Sequence, residues 1–158
     1  MLKPQLRKKI LNIRKKKYPN YEKINFNNII KILKKEKINN KIIGGYYPYN
    51  YEVDTVKILE KFEKLNYLVT LPKIKNNYQM DFFHWSTNDP LLINKYGIPE
   101  STSNKINYPN ILLVPLVAFD KHLNRVGYGG GFYDRKIKKQ KKKKKNYNYW
   151  FSLFFSKS

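Results

Sequence analysis

Apolar positions change their spacing several times along the chain, and each change marks an element. Leu6, Ile10 and Ile13 fall at i, i+4 and i+7, which predicts an amphipathic helix over residues 3–17. Ile29, Ile30, Ile32 and Leu33 mark a second helix that ends before the polar "KINNK". "KIIGGYY" (41–47) reads as a short buried strand running into a loop at Pro48. Val53, Val56, Leu59 and Phe62 lie about one turn apart and predict a helix over 52–65. "YLVTLP" (67–72) is a strand stopped by Pro72, and "YQMDFFHW" (78–85) is a further extended segment. "DPLLINKYG" (89–97) fits a short helix, with proline near its first turn and Gly97 at its end.

The continuous apolar run "ILLVPLVAF" (111–119) has the pattern of a strand buried on both faces, as in a parallel sheet. Pro115 inside it implies a bulge or an interrupted ladder. Strands that alternate with helices define the α/β class: a layered domain with a mostly parallel central sheet flanked by helices. Ligands of such sheets sit beyond the carboxyl ends of the strands. The loops after Tyr46 and after Phe119 are therefore the expected functional rim.

Composition narrows the chemistry mainly by exclusion. The chain has 158 residues, enough for one domain with its own core, and its net charge is +22. Of 33 basic residues only Arg7, Arg14, Arg125 and Arg135 are arginine. Lysine, Asn, Ile, Tyr and Phe abound while alanine occurs once, at Ala118, the signature of an AT-rich coding sequence. Charge of this origin does not point to a nucleic-acid partner, because arginine, the residue suited to bidentate phosphate and base contacts, is not enriched. Cysteine is absent, which excludes disulfides, thiolate metal sites and a cysteine nucleophile. With no apolar signal region and no apolar run of membrane-spanning length, a soluble cytoplasmic protein is the expectation.

Glycine is scarce, yet four of seven lie within "GYGGGFYD" (127–134). Consecutive glycines can form a backbone nest for an anion, and a helix starting at "FYDRKIKK" would add its dipole to the same pull. Arg125 stands just upstream as a charge clamp. Asp134 falls in the first helical turn, where a carboxylate can hold Mg²⁺ against phosphate oxygens. Neither G-x-G-x-x-G nor G-x-x-x-x-G-K-[ST] is present. A glycine-rich turn without a ligand has the same local sequence.

The longer stretch "ILLVPLVAFDKHLNRVGYGGGFYDR" resembles the signature of the 5-formyltetrahydrofolate cyclo-ligase (5,10-methenyltetrahydrofolate synthetase) family, unbroken from Pro115 to Asp134 apart from conservative choices. Weaker agreement extends through "KPQLRKKI", "YEVDT", "LPKI" and "NKYGIPES". The resemblance implies a fold of the NagB/RpiA/CoA-transferase type. It also implies an ATP- and Mg²⁺-dependent conversion of 5-formyltetrahydrofolate to 5,10-methenyltetrahydrofolate, by a monomer with no specific nucleic-acid or membrane partner. By position, the ATP contacts would be Lys3, Arg7, Arg125, Gly127, Tyr128, Gly129, Gly130, Gly131, Phe132 and Tyr133, with Arg125 and Tyr133 serving catalysis. Asp134 would be the magnesium aspartate, and Tyr47, Glu52 and Tyr96 would line the folate site. His84 and His122 have no assigned role.

After Asp134 the likeness fades. The family continues with a helix, a strand and a final acidic stretch, whereas this chain gives "KIKKQKKKKKNYNYWFSLFFSKS". Asn-Tyr-Asn-Tyr-Trp (146–150) read one base forward encodes four residues that are each Ile or Thr, then Gly. That is a β-branched strand where the family has one. The expectation is therefore an incomplete ligase domain over 1–135, with a lysine-rich, aromatic tail over 136–158. That tail would lie out of frame from about residue 141, leaving the last strand and C-terminal segment missing. Two other functions share features of the sequence: a basic nucleic-acid-binding module using the lysine tail, and another α/β nucleotide binder built on the same nest.

Overall fold

The computed structural model describes residues 2–17, 25–49, 51–122, 124–142 and 149–152. In chain order the elements are α1 (Lys3–Lys17), α2 (Phe26–Lys35), β1 (Ile42–Gly44), α3 (Val56–Lys64), β2 (Leu68–Ile74), β3 (Met80–His84), β4 (Leu91–Ile93), β5 (Pro99–Ser101), β6 (Ile111–Val114), β7 (Ala118–Phe119), β8 (Arg125–Val126), α4 (Phe132–Lys142) and β9 (Tyr149–Ser152). The central sheet runs β3-β2-β1-β6-β9. Its pairs are parallel except β2 with β3. This is the α/β layered architecture that the alternating pattern predicts.

Alternation along the central strands divides the core in two. Ile111 and Leu113 face one side with Ile43, Val69 and Leu71, where Ile29 and Leu33 of α2 and Leu59 and Phe62 of α3 cover them. Leu112 and Val114 face the other side with Met80 and Phe82, against Phe132 and Tyr133 at the start of α4. The glycine-loop helix is thus fixed to the sheet by its own first two residues. Gly44 of β1 makes that packing possible, since a Cβ there would lie 2.4 Å from Leu112, 2.8 Å from Phe82 and 2.9 Å from Pro109.

Several expectations are corrected. Residues 89–97 do not form a helix: β4 pairs antiparallel with β5, and the turn between them is built by Asn94. The Asn94 Oδ1 accepts from the backbone N–H groups of Tyr96 (2.8 Å) and Ile98 (3.1 Å). A side chain that satisfies these donors competes with helix formation. Gly97, with φ of 76°, completes the turn. The third helix starts at Val56 rather than at residue 52, so Glu52 lies before it, in a turn closed by its N–H to the Tyr49 carbonyl.

β2 continues through Pro72 to Ile74. Odd-numbered positions there face β3 and even-numbered ones face β1, but β1 pairs no further than Thr70. The N–H that Pro72 lacks would have had no partner strand. The run 111–119 is divided at Pro115 into β6 and β7, as the proline implies. At the sheet edge a strand stands where the sequence reading expects none: Tyr149–Ser152 pairs parallel with Ile111–Val114. α4 crosses residue 135, and Lys136 is buried, its Nζ 2.5 Å from Asp81. The rest of the suggested tail, residues 143–148 and 153–158, lies outside the described residues.

Candidate functional site

A cleft of about 510 Å³ opens at the carboxyl ends of the parallel strands, a volume within the ordinary range for ligand pockets. The segment after β1 supplies Tyr46, Tyr47, Tyr49 and Glu52 on one wall. The β4–β5 hairpin supplies Asn94, Tyr96 and Glu100, α1 supplies Arg7, and the floor runs from Arg125 through the glycine loop to Asp134. Every site residue marked in the sequence lines this one cleft except Lys3, which is exposed at the first position of α1. Of the loop after Phe119, the cleft takes Arg125 but not Asp120, Lys121, His122 or Asn124.

The glycine loop is held by guanidinium groups. Arg7 donates from Nε to the Gly127 carbonyl at 2.8 Å and packs against Gly129. Arg135 donates to the carbonyls of Gly130 (2.6 Å) and Tyr78 (3.2 Å) and packs against Gly131. Arg125 packs against Gly127, donates to the Pro115 carbonyl at 2.9 Å and pairs with Asp134. Arg14 donates to the carbonyls of Leu116 (2.6 Å) and Val117 (2.8 Å) and to the Tyr128 hydroxyl (3.3 Å). All four arginines of the chain therefore converge on this loop and the strand that feeds it. A rigid planar guanidinium presents donors from separate nitrogens in a fixed fork, which the point charge of a lysine ammonium does not reproduce. In a coding sequence that otherwise uses lysine, guanidinium groups remain where this geometry is used.

Arg7, Arg14 and Arg135 are anchored by carbonyl and hydroxyl oxygens and form no ion pair among the described residues. Hydrogen bonds to neutral oxygens orient a cation without neutralising it, so the loop carries a positive field. Gly129 and Gly131 have φ of 106° and 64°, which lets the backbone turn beneath the guanidinium groups and start α4 at Phe132.

The opposite wall is acidic and aromatic. Glu52 is buried, and its carboxyl is pushed up to about 7 by loss of solvent, against the opposing pull of the Tyr49 N–H, the Tyr128 hydroxyl and Arg14. Its Oε2 accepts from the Tyr49 N–H at 2.8 Å. Burial, followed by the nearby Glu52, raises the ionisation of Tyr46, Tyr128 and Tyr133, so these phenols stay protonated donors. The Tyr133 hydroxyl is buried and has no partner among the described residues, although the residue lines the cleft. A buried donor left open in this way is suited to an acceptor brought by a ligand.

Residues that sequence reasoning missed are Tyr46, Tyr49, Asn94, Glu100 and Arg14. Glu100 accepts from the Ile74 N–H (3.0 Å) and from Asn94 Nδ2 (2.7 Å), which ties the hairpin to β2. Its position depends on the hairpin, which a helix over 89–97 conceals. The tyrosines at 46 and 49 flank the marked Tyr47, and nothing in local spacing separates them from core aromatics.

A glycine loop ringed by guanidinium groups, at the carboxyl ends of a mostly parallel sheet, marks this chain as an α/β protein with a cationic cleft loop. Its kinship is narrower than that class. The 5-formyltetrahydrofolate cyclo-ligase family model matches residues 1–156, and the chain belongs to that family. It is 34% identical over 105 residues to a 5-formyltetrahydrofolate cyclo-ligase of Haemophilus influenzae, covering 62% of this chain and 56% of that protein. It is 35% identical over 95 residues to a probable 5-formyltetrahydrofolate cyclo-ligase of Schizosaccharomyces pombe, covering 56% and 47%. The chain spans about half the length of the curated relatives it matches. The fold is that of the 5,10-methenyltetrahydrofolate synthetase of Aquifex aeolicus, with a TM-score of 0.65 at 24% identity over 100% of this chain and 85% of the other.

Proposed function

We propose that the chain is an ATP- and Mg²⁺-dependent 5-formyltetrahydrofolate cyclo-ligase, acting as a monomer in the cytoplasm. The observation that carries this reading is the cleft itself, in which Arg7, with no ion pair among the described residues, and the Arg125–Asp134 pair share the lining with a buried acid and several tyrosines. Polyphosphate suits the first half, and a flat heteroaromatic ring with N–H donors suits the second. Family membership supports the same assignment, and no helix among the described residues is long and apolar enough to cross a membrane.

In the proposed reaction the γ-phosphoryl group moves from ATP to the formyl oxygen of 5-formyltetrahydrofolate. The new O–P bond forms as the bond to ADP breaks. The folate N10 then attacks the activated carbon and loses its proton. The carbon–oxygen bond breaks, and inorganic phosphate leaves with the oxygen. No protein nucleophile is required, so catalysis rests on positioning and charge neutralisation. Arg7 and the loop from Gly127 to Phe132 would hold the phosphates. Arg125 would follow the charge of the transferred group, and the Tyr133 hydroxyl would donate to the reacting oxygen. Tyr47, Glu52 and Tyr96 would hold the folate.

Asp134 is the single carboxylate of the glycine-loop segment, and no cluster of three His, Cys, Asp or Glu occurs among the described residues. That donor set fits magnesium carried on nucleotide phosphates with one protein carboxylate as ligand, the usual habit of this ion. Bound there, magnesium would shield the phosphate charge. The reading is tested by calorimetric titration of ATP and of 5-formyltetrahydrofolate into the purified chain. Both are expected to bind, ATP with a strong dependence on Arg7 and Arg125. Binding of ATP with indifference to the folate would overturn the assignment in favour of a different nucleotide binder.

A further inference from the structure

Helices α2 and α3 sit on the sheet by burying apolar side chains, Ile29 and Leu33 from the one and Ile58, Leu59 and Phe62 from the other. α1 is attached differently. Among its described side chains none is buried, and neither core cluster takes a residue from it. Its inner face is the half-buried stripe Leu6, Arg7, Ile10, Leu11 and Arg14. A helix that buries so little apolar surface is placed by its directed contacts, and two arginines supply them.

Arg14 does not line the cleft, yet it grips the end of the strand behind it. Where Pro115 interrupts the apolar run, three successive carbonyls are met by guanidinium groups. Arg125 Nη1 donates to Pro115 at 2.9 Å, and Arg14 Nη2 donates to Leu116 at 2.6 Å and Val117 at 2.8 Å. Arg14 Nη1 also donates to the Tyr128 hydroxyl at 3.3 Å. Two turns earlier on the same face, Arg7 donates to the Gly127 carbonyl at 2.8 Å and packs against Gly129. One part of α1 is thus pinned beyond β6, and the other lies over the glycine loop.

We propose that Arg14 is a positioning residue for the nucleotide: it pins α1 to the carboxyl end of β6 and so holds Arg7 over the glycine loop, where the phosphates arrive. This rests on the nucleotide reading of the cleft. An ammonium at this position keeps the charge but not the fixed fork that reaches three acceptors from two nitrogens.

The experiment is calorimetric titration of ATP and, separately, of 5-formyltetrahydrofolate into wild type, Arg7→Ala, Arg14→Ala, Arg14→Lys and the Arg7→Ala, Arg14→Ala double variant. Arg14→Ala is expected to weaken ATP binding by about tenfold, the weight of one hydrogen bond from a charged group, and to leave the folate affinity unchanged. Arg14→Lys recovers part of the loss. In the Arg7→Ala background, Arg14→Ala adds little, because the group it positions is already gone. Hydrogen exchange of peptides from 3–17 should be faster in Arg14→Lys than in wild type, which keeps the question answerable if Arg14→Ala does not fold. ATP affinity indifferent to Arg14, equal losses for both ligands, or losses that multiply in the double variant would overturn the proposal and leave Arg14 a clamp of the fold alone. Wild type that binds no ATP would overturn the nucleotide reading and the proposal with it, an outcome the first titration distinguishes from the others.

Discussion

Arg125 and Asp134 form an ion pair across the mouth of the glycine loop, with the arginine side chain 16% exposed and the aspartate 69% exposed. The two residues have opposite proposed tasks, one to meet phosphate and the other to meet magnesium. While they hold each other, neither is available, so arrival of the magnesium nucleotide must exchange one pair for two new contacts. Asp134→Asn releases Arg125 from its partner. The expected result is ATP affinity in EDTA that is several-fold tighter than wild type, together with Mg-ATP turnover reduced about a hundredfold or more. Nucleotide titration with and without magnesium separates the two effects. Unchanged affinity in EDTA would show that the pair does not restrain Arg125.

Gly131 combines a φ of 64° with a Cβ position 2.7 Å from Arg135 Nη1. Gly131→Ala therefore meets two penalties, a left-handed backbone that costs about 1–2 kcal/mol for an L-residue and displacement of a guanidinium that braces the loop. Thermal unfolding should fall by several degrees, and ATP affinity by about tenfold. Gly97→Ala has φ of 76° but open space around its Cβ, so it should show a stability loss of the same origin without the loss of ATP affinity.

The opposite wall gives a pH dependence whose sign is fixed. Glu52 titrates at about 7 when folded, above its ordinary value of 4.5, chiefly because it is buried. Between those values the folded chain binds the extra proton and the unfolded chain does not, so stability falls as pH rises through that window, by about 3 kcal/mol. Glu52→Gln removes the charge at nearly constant shape. Melting curves at pH 5.5 and 8 should show a smaller difference for Glu52→Gln than for wild type. The variant should melt higher at pH 8 while losing folate affinity. A wild-type stability that is flat or rising across this window would contradict the buried acid.

Local spacing revealed much of this molecule, and its failures have physical causes. The glycine loop, Arg125 and Asp134 are contiguous, so one stretch of sequence carries them. The two-sided burial of β6 follows from its continuous apolar run, whereas the strand order is set by pairings between segments distant in sequence. The hairpin over 91–101 was concealed because Leu91, Leu92 and Ile93 beside a proline suit a helix as well as a strand, and only Asn94 and pairing with β5 decide between them. The convergence of four arginines was invisible because Arg7 and Arg14 lie more than 100 residues from the loop they brace. Their rarity was the available signal: an arginine kept among 29 lysines marks a place where its geometry is used.

The codons at 146–150 bear on the sheet edge. β9 lies beside β6 with Tyr149, Trp150, Phe151 and Ser152 in register with Ile111 to Val114. A one-base shift offers a β-branched run over 146–149 followed by glycine at 150, which overlaps this strand at its first residue. If the A-rich lysine codons have slipped, a frame-restored chain should melt higher and turn over faster than the 158-residue chain. Resequencing the gene across the run, with mass determination of the expressed protein, checks the premise. No continuous family-like frame on either side of the run would remove it.

The most direct measurement of the central claim is the absorbance of 5,10-methenyltetrahydrofolate formed from 5-formyltetrahydrofolate with Mg-ATP, followed beside the release of ADP and phosphate. The expected result is one ADP and one phosphate for each methenyl product, no reaction when ATP is omitted, and a loss of about a hundredfold or more for Arg125→Ala. A chain that binds both ligands yet forms no methenyl product, or forms it equally well without ATP, would contradict the account.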